Sequence, residues 1–230
     1  MTYVMSDLHG RFDLYEKMLN SINLQSSDTL YILGDVLDRG DEGFRIVLDI
    51  ADRENVIPIM GNHDFLALSI IPCLERGFRP GQYEDMRYLI DSWKMDGGQE
   101  SYREYKGLSS SDRSLALMTL DSFRNFAEVG CGSLSFVLCH GGIKDYRKDR
   151  PLTDYTVEDF AFYREDYSKS KFSVKGRLLV TGHTPTAAIE GARAGRIYRN
   201  RDHIAIDCGA VFGYGLGCLC LDTMEEIYVK

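Results

Sequence analysis

The stretch Gly34-Asp35-Val36-Leu37-Asp38-Arg39-Gly40 is the most informative part of the 230-residue chain. It follows an apolar run, Thr29 to Leu33, that reads as a buried strand, and it precedes Gly43 to Glu54, which carries apolar residues at helical spacing. Two carboxylates and an arginine therefore sit at the carboxyl end of a strand, where open α/β sheets place their ligands. Five fixed positions of this kind arise by chance on the order of once in ten thousand chains of this size. The same pattern repeats on either side. Tyr3 to Ser6 and Val56 to Met60 read as strands and Phe12 to Ile22 as a helix, and the two strands end in Asp7-Leu8-His9-Gly10 and Gly61-Asn62-His63-Asp64. This is a βαβαβ opening and places the chain in the α/β class.

From about Leu66 to Ala127 the pattern is mostly helical, with Ser109 to Asp112 suited to cap a helix over Arg113 to Phe126. Strands return at Leu134 to Cys139, Leu178 to Thr181, Arg196 to Tyr198, His203 to Asp207, Cys218 to Leu221 and Glu226 to Val229. The last four lie close together with Gly-rich turns, which predicts antiparallel hairpins completing a mixed sheet or forming a second one. Neither an internal repeat nor a linker interrupts the chain, so a single domain over 1–230 with a helical insertion at 66–127 is expected.

Composition narrows the function. Hydrophobic residues make up 44% and charged residues 27%, as in a folded globular protein. A net charge of -8 argues against a sequence-independent grip on nucleic acid, which needs a basic face. Apolar runs such as Ser133 to Cys139 are far shorter than the ~20 residues that cross a bilayer, so no membrane partner is expected. The start shows no secretory pattern, and a cytoplasmic location is expected. The six cysteines form no Cys-x-x-Cys pair and read as reduced core thiols.

Four of the five histidines lie in short motifs at strand ends; beyond His9 and His63 these are Cys139-His140-Gly141-Gly142 and Thr181-Gly182-His183-Thr184-Pro185. The fifth, His203, opens a strand with no second ligand nearby and reads as a structural residue. Imidazole and carboxylate ligands together suit manganese, iron or zinc, and Cys139 should point away from His140 across its strand. Asp7 and His9, two apart, can face one way from an extended segment, and a pair of metals needs one bridging carboxylate, for which Asp35 is the candidate.

In this order the motifs resemble the calcineurin-like metallophosphoesterases, and within them the PPP family of serine/threonine phosphatases, especially its small bacterial and phage members. The resemblance covers nearly the whole chain. Its pattern is G-D-x-H-G, G-D-x-x-D-R-G, G-N-H-[E/D], H-G-G and G-H-T, with Ser6 replacing the first glycine. Further echoes are Trp93 with Gly97-Gly98, Tyr163-Arg164-Glu165-Asp166, and Ile206 to Gly213. The resemblance implies mixed β-sheets, sandwich-like and flanked by helices. It implies two divalent metal ions, manganese ahead of iron or zinc, one held by Asp7, His9 and Asp35 and the other by Asp35, Asn62, His140 and His183. His63 would be the general acid oriented by Asp38, and Arg39 and Arg164 would clamp the phosphate; Phe162 departs from the tryptophan the family has before that arginine. The implied reaction is in-line attack by a hydroxide bridging the metals on a phosphate monoester. The implied substrate is a phosphorylated protein or peptide, on serine or threonine and by extension tyrosine. The alternative is a dinucleoside polyphosphate, because bacterial diadenosine tetraphosphatases resemble the same motifs; His140-Gly141-Gly142 leans towards the protein phosphatases. A catalytically silent scaffold is disfavoured, since every ligand and the His63/Asp38 pair are present.

Overall fold

The computed structural model describes residues 1–78, 81–172 and 174–230, with the side chains of 82, 83 and 85 left aside. The opening follows the sequence reading: β1 (Thr2–Met5), α1 (Phe12–Ser21), β2 (Thr29–Ile32), α2 (Gly43–Ala51) and β3 (Val56–Pro58). The three strands pair in parallel, Thr2 opposite Thr29 and Leu30 opposite Val56. A helical layer follows: α3 (Asn62–Arg76), α4 (Gln82–Trp93), α5 (Gln99–Gly107) and α6 (Ser110–Asp121). It begins inside the Gly61-Asn62-His63-Asp64 motif, not at Leu66; positions 79 and 80 lie outside the described residues.

The expected helix over Arg113 to Phe126 is shifted. Ser109 does cap it, its Oγ accepting from the Asp112 N–H at 3.1 Å, but α6 ends at Asp121 and Phe126 opens a strand, β4 (Phe126–Cys131). β4 runs antiparallel to β5 (Leu134–Cys139) along its whole length. Its Glu128 and Gly130 are exposed, so its apolar pattern is weak and the backbone ladder to β5 defines it.

The remaining elements are α7 (Val157–Ala161), β6 (Arg177–Thr181), β7 (Tyr198–Asn200), β8 (His203–Ala205), β9 (Leu216–Cys220) and β10 (Glu226–Val229). The expected strand at Arg196 to Tyr198 begins only at Tyr198. The two closing hairpins divide between two five-stranded sheets, one ordered β10-β9-β1-β2-β3 and the other β4-β5-β6-β8-β7. Side-chain alternation explains the layering. Val4, Phe136, Leu138, Val180, Ile204 and Leu219 fill the space between the sheets. Their neighbours Met5, Leu30 and Ile32 pack outward against Leu14, Met18 and Phe44 of the helices. On the far side Val137, Cys139 and Leu179 pack against Phe160 and Phe172. All six cysteines are free thiols. Among the described residues no helix is long and apolar enough to cross a membrane.

Candidate metal centre

The side chains singled out in the sequence follow the parallel strands: Asp7 and His9 after β1, Asp35 after β2, Asn62 after β3, His140 after β5 and His183 after β6. Backbone hydrogen bonds tie these loops together. The Asp7 N–H donates to the Gly34 carbonyl at 3.1 Å, the His9 N–H to the Asp35 carbonyl at 2.9 Å, and the Gly182 N–H to the His140 carbonyl at 2.8 Å. The chain after β1 is not extended, as the spacing suggested. Asp7 and His9 have φ of 55° and 43°, and Asp35, Asp38, Arg39 and His183 also lie at positive φ. Non-glycine residues held there cost on the order of 1–3 kcal/mol each, and such strain gathers at functional sites.

Two groups of donor atoms converge: His9, Asp35 and His63 in one, and Asp35, His140 and His183 in the other, each within 4.8 Å of one another. Asp35 belongs to both. Its Oδ1 lies 3.3 Å from His140 Nε2 and its Oδ2 3.6 Å from His9 Nε2. The second group is joined by Asn62, whose Oδ1 lies 3.1 Å from His140 Nε2, and His183 Nδ1 lies 3.2 Å from that same nitrogen. Asp7 stands at the edge: its carboxylate accepts the His183 N–H at 3.0 Å and the hydroxyl of Ser6, the one residue that departs from the motif.

The rings are set for ligation. His9 Nδ1 and His140 Nδ1 donate to the carbonyls of Leu37 (2.9 Å) and Leu33 (2.6 Å), which leaves each Nε2 facing inward. Burial lowers His9 and His183 to about 3, so both are neutral near pH 7. Burial also disfavours a charged His140, yet Asp35 and Asp7 draw it up to about 10. The carboxylates of Asp35 and Asp7 thus favour a positive charge in the cavity. Burial pushes Asp7 up to about 6 and, with Asp35 adding to it, Asp64 to about 7. Buried carboxylates and inward imidazoles, without a cysteine, form a donor set that fits divalent metal ions.

Beside these groups, His63 Nδ1 donates to Asp38 Oδ2 at 2.8 Å, and both side chains are fully buried. Although burial opposes it, Asp35 and Asp38 hold the His63 ring above its ordinary pKa. Arg39 reaches in, its Nη1 lying 2.9 Å from His9 Nε2 and its Nη2 2.9 Å from His63 Nε2. Arg164 donates from Nη1 to the His183 carbonyl (2.9 Å) and to Thr184 Oγ1 (3.0 Å). Its sequence neighbours are engaged elsewhere, Glu165 with Lys171 and Asp166 with Lys169. His203 lies apart, paired with Thr181 Oγ1 at 2.8 Å and stacked on Tyr167.

Four residues near the site had no assigned role in the sequence reading. Asp64 accepts from the amides of Val36, Leu37 and Gly61 and so holds the Asp35 loop. Asp207, buried and pushed well above its usual range by burial and by Asp7, accepts the Gly209 N–H. The Ser101 hydroxyl accepts the Asp38 N–H, and Asp96 Oδ1 lies 3.1 Å from Arg39 Nη2. Asp64 and Asp207 lie within quoted motifs and could have been found there. Ser101 and Asp96 reach the site from the helical layer, and nothing in their local spacing marks them.

Comparisons with known proteins bear on the family and the fold. Residues 2–213 match the family model described as calcineurin-like phosphoesterase. A stretch of 72 residues is 33% identical to a symmetrical bis(5'-nucleosyl)-tetraphosphatase of Haemophilus ducreyi, covering 30% of this chain and 27% of that protein. A stretch of 79 residues is 33% identical to the enzyme of the same name from Delftia acidovorans, covering 34% and 28%. The chain thus spans about a quarter of the length of the curated relatives it matches. Among solved structures, a candidate diadenosine tetraphosphatase superposes with a TM-score of 0.65 at 16% identity, over 99% of this chain and 92% of that one. A serine/threonine phosphatase of Saccharomyces cerevisiae does so with a TM-score of 0.59 at 13% identity, over 90% and 66%. At such identities the likeness is one of fold, two mixed sheets flanked by helices. Because the family model runs from β1 to the turn beyond Asp207 and takes in every strand end described above, the chain belongs to the calcineurin-like phosphoesterase family.

Proposed function

We propose that the chain is a hydrolase of phosphate esters or anhydrides that works with two divalent metal ions. The observation that carries this reading is Asp35, shared between two buried histidine–carboxylate groups with Arg39 and Arg164 at their edge. Asp7, His9 and Asp35 would hold one ion, and Asp35, Asn62, His140 and His183 the other. When bound, two such ions acidify water and neutralise phosphate charge, manganese suiting this donor set. The chain's own part is positioning and proton delivery. With Nδ1 committed to Asp38, His63 can offer a proton only from Nε2, to the leaving oxygen. Arg39 Nη2 lies 2.9 Å from that nitrogen, so a phosphate oxygen on the arginine puts the leaving group beside the acid. Arg164, anchored on the His183 carbonyl, would add a second guanidinium for phosphate beside the His140 and His183 group.

For the substrate, the likeness to curated bis(5'-nucleosyl)-tetraphosphatases supports a nucleoside polyphosphate. The second reading is a phosphorylated protein or peptide. It was favoured by His140-Gly141-Gly142, but packing accounts for that glycine: a Cβ on Gly141 would collide with the Tyr163 carbonyl. Release assays with manganese, offering diadenosine tetraphosphate beside phosphoserine, phosphothreonine and phosphotyrosine peptides, separate the two. A preference above about tenfold, ~1.4 kcal/mol in transition-state binding, for the dinucleotide is the expected result. Preference of that size for a peptide selects the second reading, and no turnover of any of them refutes both.

Asp96 yields a smaller prediction. Its exposed carboxylate occupies the Arg39 donor that phosphate would take. Asp96→Asn is therefore expected to tighten competitive inhibition by inorganic phosphate about two- to fivefold, the modest effect of an exposed ion pair. An inhibition constant that is unchanged or weaker counts against Arg39 as a phosphate ligand.

A further inference from the structure

The break between α4 and α5, Lys94–Gly98, departs from helical geometry at Asp96 and Gly97, with φ of 101° at Gly97. Such breaks mark constraint. Here the constraint is contact with the Asp38–Arg39 corner, whose two residues sit at φ of 69° and 70°. The Gly97 carbonyl accepts the Arg39 N–H at 3.2 Å, and a Cβ on Gly97 would run into the Arg39 backbone. Immediately before the break, the Trp93 indole N–H donates to Asp38 Oδ2 at 2.8 Å. That is the same oxygen that accepts from His63. Trp93 is almost wholly buried, and Gly98 lies so close on its ring that any side chain there would displace it. The indole is thus held by its burial and by Gly98 against its ring, and it aims one donor at one oxygen.

We propose that Trp93 is a positioning residue for the proton-donating His63, acting through Asp38. A carboxylate that could rotate would offer either oxygen to His63 and leave the ring free to tilt. With the indole N–H fixing Oδ2, the line from Trp93 through Asp38 to His63 Nδ1 is set, and so is the direction of Nε2. Outer partners of this kind change function about 10- to 100-fold when removed. The inference rests on the phosphoesterase reading but not on the choice of substrate, because synthetic aryl phosphates report the proton transfer directly.

Trp93 is the chain's single tryptophan, so biosynthetic replacement of tryptophan by β-(3-benzothienyl)alanine exchanges one N–H for sulfur in the whole protein. The full chain carrying this residue, and separately Trp93→Phe, are to be assayed with manganese on phenyl phosphate and on 2,4-dinitrophenyl phosphate. The expected result is a fall in kcat of about 10- to 100-fold on phenyl phosphate, whose leaving group needs a proton, and less than about threefold on the dinitrophenyl ester. KM and metal content should stay at wild-type values. In the wild-type protein the sole indole N–H resonance should be protected from solvent exchange and should move on Asp38→Asn. Equal losses on both esters, or an unchanged ratio, in the benzothienyl protein overturn the proposal, as does an indole N–H that exchanges freely. If the wild type hydrolyses neither ester nor diadenosine tetraphosphate, the phosphoesterase reading fails and the inference falls with it; if it hydrolyses only the dinucleotide, the kcat of the benzothienyl protein is read on that substrate, where an unchanged value overturns the proposal.

Discussion

Asp35→Asn is expected to abolish metal-dependent turnover, a loss of about 10³-fold or more, together with the second equivalent of bound metal. Each Asp35 oxygen faces a different histidine, Oδ1 towards His140 and Oδ2 towards His9, and Oδ1 also accepts the His63 N–H at 3.1 Å. Asparagine keeps the shape and can keep that amide hydrogen bond, but it has one oxygen and no charge. It can serve one side of the centre and not both. Two-metal sites supply several kcal/mol of transition-state stabilisation, and each ~1.4 kcal/mol is tenfold in rate. Metal content by elemental analysis, alongside initial rates with manganese, is the check. A variant that retains two metals per chain and full activity removes Asp35 as the bridge.

His63→Asn is expected to act differently. Metal content should stay unchanged, although His63 falls in the same donor group as His9 and Asp35. Turnover of a poor leaving group, such as the serine of a phosphopeptide or phenolate, should fall by about 10²- to 10⁴-fold, the range for loss of a general acid. An activated aryl ester should suffer far less. The ratio between the two classes of substrate is therefore the measurement. If both fall together and metal is lost, His63 belongs to the ligand set; if neither falls, the acid lies elsewhere.

The ligand and acid candidates were legible because each sits in a short motif directly after a strand. Asp35 and Asp38 share one turn, and Asn62 and His63 are adjacent, so the chemistry-bearing pairs are local in the chain. The order of the motifs was enough to indicate the family. Less local features were missed or displaced. β4 is not marked in the sequence: Phe126 falls at the end of the expected helix and 128–131 carry no assignment, because exposed Glu128 and Gly130 dilute the alternation and the ladder to β5 supplies what its own residues do not. The two closing hairpins read alike, yet β7–β8 joins one sheet and β9–β10 the other, since pairing depends on which edges are free.

What the amino-acid order determined by itself is the α/β class, the strand-end positions of Asp7, His9, Asp35, Asn62, His140 and His183, and the family to which they point. These are short-range properties, carried by hydrophobic periodicity and residue type. Only the tertiary structure decided that two sheets bring their carboxyl ends to one cavity, that Asp35 lies between two histidines, and that Asp7 and His9 turn through left-handed corners. It alone placed Trp93, Asp96 and Ser101 against the Asp38–Arg39 turn from the helical layer. The physical reason is range: a hydrogen bond between an indole and a carboxylate 55 residues apart leaves no trace in local spacing and exists only once α4 has packed beside α3 with Trp93 in the shared core.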